Sequence, residues 1–323
     1  MRAIRLTRHG GPEVLVLESV PIPEPGPNEI RIRVEAIGVN FIDTYHRTGL
    51  YPLPLPSGIG LEAAGIVDSV GPGVTDWTPG LRAAGFLGPV GAYAEYWVLP
   101  AENAVPLPDG LDSETAAAMM LKAATVEYLL CRCANLSAGM TVLFHAGAGG
   151  VGHLALSWLK ALGITVITTV GSPEKAEIVR AGGADHVIFY RDEPVAERVR
   201  AITDGRGVDV VFDGVGAATW RESLASLARR GLLVSFGNAS GPVPPVSLLD
   251  LTAAGSVFVT RPSLMDYYAT PAEVAAGSAR VFAMWKNGVL TPRIAARFPL
   301  AEAAEAHRFL ESRRSIGSVI LTP

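Results

Sequence analysis

The sequence predicts an α/β protein in which a β-rich first third is followed by a doubly wound, six-stranded parallel sheet. Three observations predict this. The first third has many short strands and turns; from Asp112 onward strands alternate with helical patterns; and residues 141–175 form a strand, a glycine-rich turn, a helix and a second strand. Alternating strands and helices are typical of a parallel sheet covered by helices, whereas closely spaced short strands are typical of barrels.

Composition excludes several classes of function. The chain has 323 residues, 49% apolar and 18% charged, so it is globular and long enough for two domains. The net charge of −4 gives no electrostatic reason to expect nucleic acid or an anionic membrane surface. The N-terminus has no apolar signal core, and no apolar run reaches the roughly 18 residues of a membrane helix. We therefore expect a cytoplasmic protein without nucleic-acid or membrane partners.

The first third is predicted strand by strand. Residues 1–20 are expected to form two strands around a turn at 9–12, and the residues expected to face inward are Val14, Val16 and Val20. Apolar and polar residues alternate over 29–35, which predicts a strand with one buried face. A short helix is predicted within 38–49, and further strands are predicted at 62–70 and 92–99. The pattern indicates a barrel-like β unit.

The remaining elements alternate. Helices are predicted at 112–120 and 122–134, and six strands at 141–145, 165–169, 186–189, 208–212, 231–236 and 255–260. Two helices at 271–287 and 300–313 and a strand at 317–321 are expected to return to the first domain. Cys131 and Cys133 point in different directions on a helix, so we expect reduced, buried or half-buried thiols rather than a disulfide or a zinc site.

Three glycines carry the strongest local signal. Gly147, Gly149 and Gly152 have the G-x-G-x-x-G spacing, directly between an apolar strand and an amphipathic helix. In a dinucleotide site one such glycine permits the tight turn, one lets backbone amides reach a pyrophosphate, and one lets the helix pack on the strand. The anion lies at the positive end of the helix. An ordinary tight strand–helix connection is the alternative, and the strand that follows the helix favours the dinucleotide site.

The end of the next strand predicts which dinucleotide binds. NAD sites usually have an acidic residue there, which holds the ribose 2′-hydroxyl. This chain has Gly171 and Ser172 at that point, and Lys175 follows one turn into the next helix. A lone lysine is usually a surface residue, but a lysine where the acid is missing favours NADPH.

With these elements in place, the chain resembles the medium-chain dehydrogenase/reductase superfamily, and within it the zinc-free quinone oxidoreductase (zeta-crystallin-like) branch. The segments that carry the resemblance are 9–15, 38–45, 57–65, 143–152, 234–241 and 260–264. The resemblance implies a discontinuous GroES-like catalytic domain at 1–122 and 262–323 and a Rossmann domain at 123–261. It also implies that Asn40, Leu61 and Leu121 (or a neighbour of Leu121) stand where zinc-dependent relatives have their ligands, and none of the three is a normal zinc ligand.

The resemblance also implies roles for individual residues. The expected catalytic and acceptor-binding residues are Asn40, Tyr45, Tyr51 and Arg261. The expected NADPH-binding residues are Asn40, Thr125, Gly147, Ala148, Gly149, Gly150, Val151, Gly152, Gly171, Ser172, Lys175, Tyr190, Val215, Phe236, Asn238 and Arg313. Packing or capping roles are the alternatives for Asn40 and the tyrosines. Glu127 stands where relatives usually have an aromatic residue, and a carboxylate facing the acceptor would change substrate preference.

The leading hypothesis is NADPH-dependent reduction of a quinone in the cleft between the domains, without zinc. Reduction of α,β-unsaturated aldehydes or ketones is a second hypothesis, because the fold and cofactor serve both reactions. A non-enzymatic NADPH-binding or RNA-binding, crystallin-like role is a third, and the acidic composition argues against RNA. The resemblance also implies a homodimer, formed through an exposed apolar strand at 256–260.

Overall fold

The structure, a computed structural model, describes all residues from 1 to 323 and divides into two compact units. The first unit comprises Met1–Ala124, Tyr268–Phe282 and Pro292–Pro323, and the second comprises Thr125–Tyr267 and Ala283–Thr291. No helix has both the length and the apolar character needed to cross a membrane.

The elements are numbered in chain order. The strands are β1 (Arg2–Leu6), β2 (Leu15–Ser19), β3 (Glu29–Val39), β4 (Glu62–Val70), β5 (Arg82–Gly85), β6 (Tyr96–Pro100), β7 (Ala104–Pro106), β8 (Thr141–Phe144), β9 (Thr165–Val170), β10 (His186–Phe189), β11 (Val208–Asp213), β12 (Leu227–Ser235), β13 (Phe258–Thr260), β14 (Ile294–Pro299) and β15 (Ser318–Thr322). The α-helices are α1 (Phe41–Thr48), α2 (Ser113–Tyr128), α3 (Gly150–Ala161), α4 (Pro173–Ala181), α5 (Val195–Ile202), α6 (Trp220–Ser226), α7 (Leu248–Ala253), α8 (Leu264–Tyr267), α9 (Pro271–Lys286) and α10 (Ala303–Glu311).

A seven-stranded sheet organises the first unit. Its strand order is β14-β15-β3-β4-β5-β7, and β6 also pairs with β3. The alternation predicted for β3 is confirmed, because Ile30, Ile32 and Val34 are buried. The C-terminal segment returns to this sheet as predicted, since β15 pairs antiparallel with β3. Strands β5, β7 and β14 were not expected, and β5 reads Arg-Ala-Ala-Gly, which lacks the β-branched residues that identify strands.

Two predictions about the first unit are wrong in detail. Val16 is exposed instead of facing inward, and Val20 is only half-buried, because a 3-10 turn over Pro12–Val14 makes Leu15 the first and buried residue of β2. Strand β6 begins at Tyr96 rather than at residue 92, since residues 92–95 form only an isolated bridge.

A six-stranded parallel sheet organises the second unit. Its strand order, β10-β9-β8-β11-β12-β13, places β8 at the point where the winding reverses. All neighbouring pairs are parallel, as predicted. The central strands are buried runs, with Leu143, Ile167, Val211 and Leu233 in one core. In such sheets ligands bind beyond the carboxyl ends of the strands beside this reversal, which is where the glycine-rich loop lies.

The two helices predicted at 112–120 and 122–134 are one continuous helix. Helix α2 continues into a π-helical turn over Leu129–Cys133. Both cysteines are free thiols, which agrees with the prediction of no disulfide. Cys133 is half-buried, but Cys131 is exposed, so the prediction of a shielded thiol is wrong there. The wider π turn shifts which positions face the interior.

Candidate functional site

The glycine-rich loop between β8 and α3 has no room for side chains at two of its glycines. A Cβ at Gly147 would lie 2.2 Å from Thr168 Oγ1, and a Cβ at Gly152 would lie 2.5 Å from the carbonyl oxygen of Ala146. The N-cap of α3 is Gly149, so no side chain caps the helix. The N-terminal amides of α3 therefore meet no capping side chain at the place where the glycine spacing predicts anion binding.

A buried carboxylate organises the loop after β11. Asp213 is 1% exposed and accepts hydrogen bonds from the backbone amides of Val215, at 2.8 Å, and Gly216, at 3.0 Å. Its second oxygen accepts a hydrogen bond of 2.6 Å from the Ser223 hydroxyl. Asp213 therefore fixes the backbone at Val215, one of the predicted cofactor-binding residues.

The same network continues to the glycine-rich loop. The Ser223 oxygen lies 3.0 Å from His145 Nε2, and His145 Nδ1 lies 3.2 Å from Thr169 Oγ1. The Thr169 oxygen also accepts from the amide of Ala146, at 3.0 Å. Burial lowers the pKa of His145, which favours the neutral ring. Because the Ser223 hydroxyl donates to Asp213, its oxygen accepts from His145 Nε2, so the ring proton is on Nε2. The loops after β8 and β11 are thus held by one set of buried hydrogen bonds, which the sequence analysis did not identify.

The end of β9 offers space and positive charge. A Cβ at Gly171 would lie 2.7 Å from the Tyr190 hydroxyl, so the glycine lets that ring approach the strand end. Ser172 is the N-cap of α4, and Lys175 lies in its first turn. Burial lowers the pKa of Lys175, and Arg191 adds to the effect. Arg191, which lies over the Tyr190 ring at 5.9 Å, is a second cation that the sequence analysis missed.

The carboxyl end of β12 brings together further predicted residues. Phe236 packs on Gly214, where a Cβ would lie 2.8 Å from its ring. Arg261 donates a hydrogen bond of 2.7 Å to the carbonyl of Ser235, the last residue of β12. Asn238 follows in the same loop and is half-buried. These side chains lie at the sheet edge that also holds Val215, but their contacts with a cofactor stay predictions.

In the first unit, the predicted aromatic residues lie on helix α1 and just after its C-terminus. The rings of Tyr45 and Tyr51 meet edge to face at 5.2 Å, and the Tyr51 amide donates to the Tyr45 carbonyl at 3.1 Å. Tyr45 is 8% exposed, whereas Tyr51 is half-buried. The remaining predicted residues, Thr125 and Arg313, lie in the second and the first unit respectively.

Asn40 is the N-cap of α1 and forms a capping box with Asp43, whose carboxylate accepts a hydrogen bond of 2.8 Å from the Asn40 amide. Its Nδ2 donates to Glu62 Oε2 at 2.8 Å, and the amide of Leu121 donates to Glu62 Oε1 at 2.7 Å. Lys122 Nζ lies 3.4 Å from the same Oε2. We call Asn40, Glu62 and Lys122 the Glu62 cluster. Neither Glu62 nor Lys122 was predicted as a site residue, and the glutamate after Leu61 was the only signal for the cluster.

The Glu62 cluster includes or adjoins the three positions, Asn40, Leu61 and Leu121, at which the resemblance places the ligands of zinc-dependent relatives. Asn40 and Leu121 both bind Glu62, and Leu61 precedes it in the chain. An amide and two leucines do not form a zinc-ligand set. The structure has no group of three or more His, Cys, Asp or Glu side chains arranged to hold a metal ion.

A buried hydrogen-bond chain leads away from α1. Tyr93 Oη donates to Asp43 Oδ2 at 2.9 Å, and His307 Nε2 lies 3.1 Å from Tyr93 Oη. His307 Nδ1 lies 3.0 Å from Nη1 of Arg47, which forms an ion pair with Glu311 at 2.8 Å. Arginine only donates, so Nδ1 accepts and the His307 proton is on Nε2. All donors in the chain therefore point toward Asp43.

Burial sets the protonation of Asp43 and His307 in this hydrogen-bond network. Burial raises the pKa of Asp43 to about 7, although hydrogen bonds from the Asn40 amide and Tyr93 act in the opposite direction. Burial and the neighbouring Arg47 lower the pKa of His307 to about 3, so that ring is neutral. Sequence analysis found no signal at His307, because its partner Arg47 is 260 residues away in the chain.

Glu127, whose orientation the sequence left open, is fully buried and forms an ion pair with Arg132 at 2.7 Å. Arg132 also donates to the carbonyl of Tyr267 and lies over its ring. The carboxylate is therefore engaged with an arginine of its own helical segment.

The chain is similar to known proteins over its whole length. Residues 26–109 match the alcohol dehydrogenase GroES-like domain, and residues 150–273 match the zinc-binding dehydrogenase family. A quinone oxidoreductase of Pseudomonas aeruginosa is 52% identical over 323 residues, covering 100% of this chain and 99% of the relative. A 2-haloacrylate reductase of a Burkholderia species is 45% identical, covering 98% of this chain and 97% of the relative. The crystal structure of Escherichia coli quinone oxidoreductase complexed with NADPH superposes with a TM-score of 0.98 at 46% identity, over 100% of both chains.

Proposed function

Because the chain belongs to the quinone oxidoreductase family of the medium-chain dehydrogenases/reductases, we propose that it reduces quinones with NADPH. The observation that carries this proposal is the site at the carboxyl ends of β8 and β9. It combines a side-chain-free helix N-terminus at Gly149 with a strand end that has a glycine, Lys175 and Tyr190 in place of an acidic residue. Such a strand end fits a 2′-phosphate better than a 2′-hydroxyl.

The second unit supplies most of the NADPH-binding residues. The amides at the start of α3 would bind the pyrophosphate, and Lys175 and Tyr190 would bind the 2′-phosphate. The backbone at Val215 and Asn238, with Phe236, would hold the nicotinamide end. NADPH supplies the hydride when it is bound.

The first unit supplies the acceptor-binding residues. Asn40, Tyr45 and Tyr51 would position the quinone. Reduction also needs one proton, which would come from water or from a hydroxyl of Tyr45 or Tyr51. Because Asn40, Leu61 and Leu121 include no zinc ligand, we propose that the reaction proceeds without zinc.

Reduction of an activated carbon–carbon double bond is the second candidate. The observation that favours it is the full-length similarity to the Burkholderia protein named 2-haloacrylate reductase. The relative named quinone oxidoreductase is more similar, at 52% against 45% identity, so quinone reduction is the primary proposal.

We also propose that the chain forms a homodimer through β13. This strand is the edge of the six-stranded sheet, and Phe258 is 62% exposed there. An uncovered apolar edge strand promotes association, and pairing two β13 edges would satisfy their backbone groups. The cytoplasmic location expected from the N-terminal sequence stays a prediction.

The test follows the loss of reduced-nicotinamide absorbance in chelator-treated buffer, with NADPH or NADH and with a small quinone or an unsaturated aldehyde. We expect turnover with NADPH and the quinone. Lys175→Ala should raise KM for NADPH by roughly 10- to 100-fold and leave KM for NADH unchanged, since it removes one charge-assisted phosphate contact. The exposed Lys286→Ala is the matched control. Turnover with the aldehyde alone would replace the primary proposal with double-bond reduction.

A further inference from the structure

Lys122 is a buried cation that the proposed reaction does not yet use. Its side chain is 7% exposed, and its hydrogen-bond partner is Glu62, which is 0% exposed. The distance of 3.4 Å from Nζ to Glu62 Oε2 is long for a charge-assisted hydrogen bond, which is usually about 2.7–2.9 Å. An ammonium group has three donors, so at least two of those on Lys122 have no protein acceptor.

The position of the ammonium group relates it to the proposed acceptor site. Glu62 Oε2 binds both Lys122 Nζ and Asn40 Nδ2, so one carboxylate oxygen joins the lysine to the residue expected to border the acceptor. Burying a lysine is costly unless its charge is compensated, and one long bond compensates only part of that cost. A buried cation with unused donors beside a binding residue has the chemistry of an electrostatic catalyst.

We propose that Lys122 stabilises the negative charge that forms on the acceptor oxygen during reduction. The proposal rests on the proposed quinone reductase function and adds a catalytic residue to it. Lys122 would occupy, with a fixed ammonium group, the role that a Lewis acid has in zinc-dependent relatives. Glu62 would be a positioning residue, because it orients both Lys122 and Asn40.

The proposed reduction transfers one hydride and one proton to the quinone. The hydride, one hydrogen with two electrons, would form an O–H bond at one carbonyl oxygen of the quinone as the nicotinamide C–H bond breaks, and the nicotinamide would be oxidised. The conjugated ring electrons would shift to the opposite carbonyl oxygen, which becomes a phenolate anion and accepts hydrogen bonds from the Lys122 N–H groups. The anion then takes one proton from water or a tyrosine, which completes the hydroquinone. Lys122 keeps its own proton throughout, so the residue is unchanged after each turnover.

The test uses a phenolate as a mimic of that anion, in the protein without NADPH. A nitrophenol is titrated with protein, and the visible absorbance of its phenolate form is compared at one pH slightly below its solution pKa. The variants are Lys122→Met, Lys122→Arg and the double variant Glu62→Gln/Lys122→Met. The double variant removes both charges together, because a single deletion leaves an uncompensated buried carboxylate and risks misfolding. Lys286→Met is the matched surface control, and thermal unfolding verifies that each variant folds.

We expect the wild-type protein, Lys286→Met and Lys122→Arg to bind the probe as phenolate, and the double variant to bind it as the neutral phenol or not at all. With NADPH and a quinone, the double variant should lose roughly 10²-fold in kcat, as for removal of one preorganised donor, while its Kd for NADPH is unchanged. A phenolate spectrum in the double variant, its absence from the wild type, or an unchanged kcat would overturn the role of Lys122. Absence of wild-type turnover would instead refute the proposed function.

Discussion

Tyr93→Phe tests the buried chain that ends at Asp43. The Tyr93 hydroxyl donates to Asp43 Oδ2 at 2.9 Å, and the donor on His307 Nε2 lies 3.1 Å from it. Removing the hydroxyl deletes both hydrogen bonds and leaves the His307 donor without a partner. Asp43 retains only the hydrogen bond from the Asn40 amide on that oxygen.

The magnitude follows from the two bonds. A hydrogen bond to a charged group contributes about 1.5–3 kcal/mol, and a neutral one about 0.5–1.5 kcal/mol. We therefore expect Tyr93→Phe to lower the free energy of unfolding by about 2–4 kcal/mol. The hydroxyl leaves little empty volume, so the cavity contribution is small beside the lost hydrogen bonds.

The loss should depend on pH. The folded pKa of Asp43, about 7, is above the ordinary value of 3.8, so the stability associated with its protonated form is fully present below pH 3.8 and is lost as pH rises to about 7. The Tyr93 hydrogen bond favours the ionised form, and its removal raises the folded pKa further. The free energy of unfolding of the variant should therefore continue to fall above pH 7. Its difference from the wild-type value should be larger at pH 8.5 than at pH 6, by about 1 kcal/mol or more.

The assay is equilibrium unfolding in urea at both pH values. Tyr96→Phe is the matched control, because Tyr96 contacts Arg31 with its ring and donates no hydrogen bond to another side chain. The control should change stability by less than about 0.5 kcal/mol. A deficit for Tyr93→Phe that is the same at both pH values would refute the proposed coupling between the hydroxyl and Asp43.

Three further predictions concern other parts of the chain. Gly152→Ala should weaken NADPH and NADH binding equally, by 10-fold or more, because its Cβ would lie 2.5 Å from the Ala146 carbonyl and push α3 away; fluorescence titration measures both Kd values, and unchanged values would contradict the close packing. His307→Asn should flatten the loss of stability as pH falls from 6.5 toward 3, because the folded pKa of about 3 lies below the ordinary histidine value of 6.5; urea midpoints between those pH values test this, and parallel curves for both proteins would argue against a neutral histidine. Phe258→Lys should convert a dimer to a monomer in light scattering, since it places a charge on the edge of β13; a wild-type monomer at micromolar concentration would eliminate the proposed interface.

Much of the second unit was predictable from local sequence. The six parallel strands occur where they were predicted, with shifted ends, because buried strands are short apolar runs between helical patterns. The glycine positions were equally clear, since a turn that approaches a helix closely excludes a Cβ wherever it occurs. In the first unit, β5 was missed because alanine and glycine carry no strand signal.

The polar networks were not predictable in this way. Glu62 and Lys122 are 60 residues apart in the chain, and Arg47 and His307 are 260 apart. Periodicity reports which face of an element is buried, but not which side chain of a distant element lies opposite. Asn40 shows the difference. Its N-cap position followed from the sequence, whereas the hydrogen bond from its side-chain amide to Glu62 on a neighbouring strand did not.

The sequence by itself determined the cofactor loop, the alternation of the parallel sheet and the choice of NADPH as the expected cofactor, because each depends on spacings within about 30 residues. Only the tertiary structure decided where the buried charges lie: Lys122 beside Glu62, Asp43 at the end of a donor chain, and Glu127 paired with Arg132. The physical reason is that a buried charge must find its partner across the fold. The cost of burial selects that partner in space, with no constraint on distance along the chain.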